Sequence, residues 1–318
     1  MSYCLINRFC RFRRYESILQ KHRQTPFGHA SLRIFGRNFC FKGRNGLNLF
    51  YRNLPRLSVD IDLAYAERKH DRETALENIT GRLSKISAEL KKYGMDTDRT
   101  RFEADTTKLV VTRGSCRVKL EVNHVFRGIL KPPKKITVSP NVEKMFMSAP
   151  EAYVMDHDEL YAGKIMAALN RQHPRDLFDV KKLYENGGIT DRIIDCFVCY
   201  LCGGNGVFYE TLDPNPKDIR DVFAKDFDGM QFERTTPEEL TKIFLRLKRD
   251  VVGMIRNERK DFLVGFSKAV PDFSLAPFPE LSEYPAIKWK LLNLEKFGKK
   301  SPAEFALQTK KLEDLFSV

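Results

Sequence analysis

The run RLSVDIDLAY, residues 56 to 65, alternates polar and apolar side chains. Side chains along a strand point to opposite faces in turn, so Val59, Ile61 and Leu63 project to one side and Ser58, Asp60 and Asp62 to the other. Two carboxylates held that close repel unless a cation lies between them, and the pattern suggests a divalent metal. A later run, CRVKLEVNHVF, places Lys119, Glu121 and Asn123 opposite Val118, Leu120 and Val122. If this strand pairs beside the first, Asp60, Asp62 and Glu121 converge. Carboxylates on adjacent strands suit two-metal phosphoryl or nucleotidyl transfer, in which one ion lowers the pKa of an attacking hydroxyl and another, ~3.5–4 Å away, steadies a triphosphate. A turn at Gly43 to Gly46 lets the main chain lay N–H groups against phosphate oxygens. Lys164, beside small residues on a helix, can reach a triphosphate as a point charge.

These residues need elements to hold them. RNFCFKGRNGLNLFYRNLP reads as a strand, a glycine turn, a short helix and a stop at Pro55. Leu76, Ile79, Leu83, Ile86 and Leu90 recur at helical spacing between Asp71 and Gly94, which predicts an amphipathic helix. TKLVVTR and CRVKLEVNHVF, separated around Gly114, predict an antiparallel hairpin. Beyond a Pro- and Lys-rich stretch the pattern turns helical. DHDELYAGKIMAALNRQ and HPRDLFDVKKLYENGG form two helices, the second with Pro174 in its first turn, and further helices fall at 189–202, 217–224, 237–261, 285–297 and 302–316. KAVPDFSLAPFPELSEYP reads as extended. A basic, weakly patterned lead-in over 1–40 carries one short helix around YESILQKH; residues 41–153 then form one domain and 154–318 a mainly helical second.

Composition bounds the partners. The chain has 318 residues, 42% apolar, with 55 Lys and Arg against 42 Asp and Glu, a formal charge of +13. Its surface should attract polyanions, nucleic acid or nucleotide phosphate among them. No stretch approaches the ~20 apolar residues that span a bilayer, and the first residues lack a signal-peptide pattern, so a cytosolic protein without membrane association is expected. Seven cysteines without a framework agree with a reducing compartment. Cys196, Cys199 and Cys202 have a spacing of three, which fits a helical core face better than metal ligation. Nothing demands an oligomer, and a monomer is expected.

KGRNGLNLFYRNLPRLSVDIDLAY, KLEVNHV, DELYAGKIMAALNRQHPRDLFDVKKL and YPAIKWKLLNLEK together resemble the AbiEii/AbiGii nucleotidyltransferase toxins of type IV toxin–antitoxin and phage abortive-infection systems. The likeness runs from about residue 38 to the C-terminus and rests on four motifs in order. It implies an α+β fold, in which a DNA-polymerase-β-like nucleotidyltransferase domain with a mixed sheet precedes a mainly helical domain. It also implies Mg²⁺ as two ions, a nucleoside triphosphate substrate, transfer of nucleotides to RNA at the tRNA 3′ end with a block of translation, and a cognate antitoxin. By the resemblance, Ser58, Asp60 and Asp62 match an S-x-D-x-D strand with the aspartates as metal ligands, and Glu121 matches the acidic residue of the second motif. Lys164 matches a lysine that contacts triphosphate, and Arg175, Asp176 and Asp179 match R-D-x-x-D, with Asp176 the strongest catalytic candidate of the three.

Lys42 and Gly43 match the nucleotide-binding turn. Relatives continue with Gly-Thr where this chain has Arg44 and Asn45, a departure that predicts backbone strain at Arg44 and the loss of a hydroxyl contact to phosphate. Bland roles remain open: Asp176 and Asp179 favour the start of a helix dipole, and Arg175 can pair with Asp179 four residues on. Two other functions also stay open. One is transfer of a nucleotidyl or phosphoryl group to a protein, including the partner or the chain's own Ser58; the other is a degenerate, non-catalytic RNA- or nucleotide-binding module.

Overall fold

A computed structural model describes residues 36–56, 60–102, 106–114, 116–123, 127–146 and 149–317. Ser58, the helix expected around YESILQKH and most of the basic lead-in lie outside the described residues. The described chain forms two compact units, one comprising residues up to 156 together with 229–233, the other comprising 157–228 and 234–318.

The first unit is built on a mixed sheet of seven strands in the order β3-β4-β5-β2-β1-β7-β6. These are β1 (Phe39–Phe41), β2 (Asp60–Tyr65), β3 (Asp96–Phe102), β4 (Thr106–Arg113), β5 (Cys116–Asn123), β6 (Lys134–Thr137) and β7 (Glu151–Val154). The expected hairpin is β4 and β5, paired antiparallel from Thr106 opposite Asn123 to Arg113 opposite Cys116. The β2 strand lies in the middle of the sheet, antiparallel to β1 and parallel to β5. Its second half, Leu63, Ala64 and Tyr65, is buried, while Asp60 and Asp62 are half-buried. β3, DTDRTRF, shows no apolar alternation and was not expected as a strand; it is an edge strand, where charged side chains are tolerated and discourage pairing with another chain.

β1 leads into α1 (Gly43–Gly46), which continues as a wide helical turn over Leu47–Tyr51. The sequence suggested a glycine turn first and a helix afterwards; instead the helix begins at Gly43. Gly43 alone in this segment has positive φ, +58°, and one left-handed residue reverses the chain without a longer loop. α2 (Arg72–Lys92) forms as its periodicity requires, with Ala75, Ile79, Leu83, Ile86 and Leu90 buried. The Asp71 side chain caps it by accepting from the Thr74 N–H at 2.8 Å, and that contact holds the Asp71 pKa below its usual value. Residues 229–233 join this unit through a bridge between Arg56 and Gln231 and a 3.1 Å bond from the Phe232 N–H to the Pro55 carbonyl. A further short helix of this unit is α3 (Pro140–Phe146).

The second unit is helical: α4 (His157–Arg171), α5 (Pro174–Glu185), α6 (Asp191–Gly203), α7 (Phe208–Leu212), α8 (Arg220–Asp226), α9 (Pro237–Met254), α10 (Glu258–Ser267), α11 (Pro285–Lys300) and α12 (Pro302–Leu315). α4 packs on both α5 and α6. The single helix expected over 237–261 is two, because the chain leaves helical geometry at Ile255 and Asn257 adopts φ +51°, a conformation Asn tolerates better than most residues. The stretch expected to be extended holds two short 3₁₀ turns, Phe273–Leu275 and Pro279–Glu283. Cys196, Cys199 and Cys202 are buried free thiols on α6, and burial pushes Cys199 and Cys202 above the usual thiol pKa. They serve the core. No described helix is long and apolar enough to cross a membrane.

Candidate active site

The sheet unit holds the acidic group. Asp60 and Asp62, two residues apart on β2, share a face of the sheet. Parallel pairing sets Asp62 directly opposite Glu121 and Asp60 opposite Lys119. Glu121 is therefore on the same face and level with Asp62. Its Oε1, however, lies 3.2 Å from the Nζ of Lys108, the residue opposite it on β4. Glu121 is engaged in an ion pair, a contact sequence reasoning missed although TKLVVTR carries the lysine in the right alternation.

The turn after β1 is fastened to β2 at both aspartates. The Lys42 N–H donates to the Asp62 carbonyl at 2.9 Å, and the Asn45 side-chain amide donates to the Asp60 carbonyl. A Cβ on Gly43 would stand 3.2 Å from Asp62 Oδ2, so the backbone of the turn lies against that carboxylate as a bare chain can. The strain expected at Arg44 is absent, since neither Arg44 nor Asn45 has positive φ. Arg44 Nη1 is buried with no hydrogen-bond partner among the described residues. A buried guanidinium nitrogen without an acceptor is costly.

The helical unit holds the other group. Lys164 on α4 lies 3.1 Å from Asp176 Oδ1 and 3.0 Å from Asp179 Oδ2, both on α5, and Arg171 Nη2 reaches Asp176 Oδ2 at 2.7 Å. Side-chain exposure is 7% for Lys164, 5% for Asp176 and 3% for Asp179, so one buried cation faces two buried carboxylates, and Arg171 reaches Asp176 from the surface. The turn before α5 explains the convergence. Gln172 takes φ +55°, its side chain binds the Asn215 carbonyl and the Lys217 N–H, and His173 caps α5 by accepting from the Arg175 N–H at 3.2 Å. Arg175 Nη2 lies 3.2 Å from His173 Nε2. Burial and the Arg175 charge depress the His173 pKa to about 4. Arg171 was missed, although its place at the end of α4, ahead of HPRD, was visible.

A pair of aspartates on a sheet strand, a bare turn fastened to that strand and a following helical unit define a nucleotidyltransferase. The sequence matches the family model described as nucleotidyl transferase AbiEii toxin, Type IV TA system, over residues 27–291, and the chain belongs to that family. It is a nucleotidyltransferase of the toxin class of a type IV toxin–antitoxin system. Among solved structures it is similar to MenT4, the nucleotidyltransferase toxin Rv2826c from Mycobacterium tuberculosis H37Rv, at 15% identity and a TM-score of 0.45, covering 75% of this chain and 90% of that one. No curated protein matches the sequence.

The family implies a divalent metal. Among the described residues no group of three His, Cys, Asp or Glu is gathered to hold an ion. Magnesium does not require such a cage: it is usually held by one or two carboxylates, with waters and substrate phosphates completing its shell. Asp60 and Asp62 are hard oxygen donors in that number, and they fit.

Proposed function

We propose that this chain transfers nucleotides from a nucleoside triphosphate to the 3′ end of an RNA, tRNA being the favoured acceptor, and that it blocks translation by doing so. The observation that carries the proposal is the fastening of the Lys42–Asn45 turn to β2 at Asp60 and Asp62, which keeps a glycine turn beside two carboxylates. Asp60 and Asp62 would hold magnesium, which would supply charge neutralisation of the triphosphate and a lowered pKa for the attacking hydroxyl. A second ion would draw on Glu121, once its carboxylate exchanges Lys108 for metal.

The chain's own groups do the rest. The Gly43 backbone would admit phosphate oxygens close to Asp62, and Arg44, whose Nη1 lacks a partner among the described residues, would take over from the hydroxyl that relatives place at the next position. Asn45 keeps the turn in register with the strand. Lys164 holds Asp176 and Asp179 at fixed positions on α5, and Arg171 adds a second contact to Asp176. A cognate antitoxin would neutralise the protein in the cytosol. Incubation with Mg²⁺, each labelled triphosphate and total RNA tests the proposal: label on tRNA supports it, whereas label only on protein, as from a protein acceptor, overturns it.

A further inference from the structure

The helical unit contains a cavity of about 450 Å³ where the end of α5 meets α9, lined by Tyr184, Arg246, Arg249, Asp250, Gly253 and Arg256. Three guanidiniums face one carboxylate. Asp250 is already matched: it accepts from the Tyr184 hydroxyl at 2.9 Å, from Arg246 Nε at 3.2 Å and from Arg249 Nη2 at 2.9 Å. Arg246 lies flat on the Tyr184 ring, 3.9 Å from its centroid. Arg256 is exposed and makes no ion pair among the described residues. The cavity thus carries positive charge beyond what its carboxylate balances.

We propose that this arginine-lined cavity binds backbone phosphates of the RNA acceptor. Guanidiniums suit the task because their planar forks engage phosphate oxygens two at a time. Arg246 and Arg249 are 53% and 76% exposed, so their outer N–H groups are open to a macromolecule while their inner ones orient on Asp250. Arg246, Arg249, Asp250 and Gly253 follow one face of α9, Arg256 lies just past its end, and from Arg246 to Met254 the helix rises about 12 Å, enough for two or three phosphates of one strand. A free mononucleotide is disfavoured, because Arg246 covers a face of the only aromatic ring in the cavity and leaves it closed to a base. The choice of RNA over an acidic protein segment rests on the acceptor proposed above, but on none of the residues assigned to the transfer step.

The test is fluorescence anisotropy of the full-length chain with a fluorescein-labelled RNA stem-loop, without triphosphate, across a salt series. Arg249→Ala/Arg256→Ala should weaken binding about tenfold and flatten the slope of log affinity against log salt by about 1.4, from two lost contacts at about 0.7 each. Arg256→Glu alone, at an exposed side chain, should weaken RNA binding as well, and Lys299→Ala/Lys300→Ala should change neither affinity nor slope. Unchanged RNA binding in the arginine variants, an equal fall in the lysine control, or loss of a labelled polyglutamate probe with RNA binding intact would each overturn the inference. Asp62→Asn separates the two proposals: it should bind the stem-loop normally even though it transfers nothing.

Discussion

A Cβ on Gly43 would sit 3.2 Å from Oδ2 of Asp62, in a residue whose φ is +58°. Two penalties therefore meet at this position. Gly43→Ala would place an L side chain in left-handed geometry, costing roughly 1–2 kcal/mol, and would also press on the carboxylate proposed to hold magnesium. The expected outcome is a modest fall in melting temperature with a larger loss of Mg²⁺-dependent nucleotide binding by calorimetry. A loss of binding no greater than the loss of stability explains would remove Asp62 from the site.

Arg44 offers a sharper separation, since it has left-handed strain nowhere and a buried Nη1 without a partner. Arg44→Ala should raise the triphosphate dissociation constant about tenfold, the worth of one charge-assisted hydrogen bond. Stability should hold or rise, because an unsatisfied donor has gone. Nucleotide binding that is unchanged would show that the side chain has no part in it.

Lys164 neutralises two buried carboxylates on α5. Lys164→Met would take the ammonium from both Asp176 and Asp179, and breaking a buried pair of this kind costs about 3–5 kcal/mol. Urea unfolding should show that loss. Arg175→Ala should change stability little, so any fall in its activity would report binding. A cost below about 1 kcal/mol for Lys164→Met would mean the cluster does not hold α4 to α5.

His173 makes stability pH-dependent in a defined window. Its pKa falls from 6.5 to about 4 on folding, so between those values the unfolded chain binds more protons than the folded one. Stability from this group is present above pH 6.5 and is lost as pH falls towards 4. Melting curves across that interval should be steeper for the native chain than for His173→Asn, which keeps a capping side chain and removes the titration. Equal slopes would contradict the assignment.

Much of this was legible in the sequence, for identifiable reasons. The apolar spacing from Leu76 to Leu90 and the alternation in β4 and β5 determine their elements, because each buries one face. The pairing of β2 with β5, which brings Asp62 level with Glu121, is a long-range choice that alternation permits without dictating. β3 was hidden because its sequence, DTDRTRF, carries no apolar alternation to read. The break after Met254 was missed although Gly253 stands beside it, since a lone Gly within a helical pattern is tolerated; the left-handed residue is Asn257. Lys108 and Arg171 escaped because an ion pair depends on which strand or helix faces which, and residue type alone does not say.

On this proposal the aspartates of β2 carry nucleotidyl transfer to RNA. The most direct measurement is transfer of label from each triphosphate to purified tRNA with Mg²⁺, comparing the native chain with Asp60→Asn and Asp62→Asn after both variants are shown to be folded. The account predicts label at the 3′ end with the native chain and none with either variant. Transfer by Asp62→Asn at the native rate would contradict it.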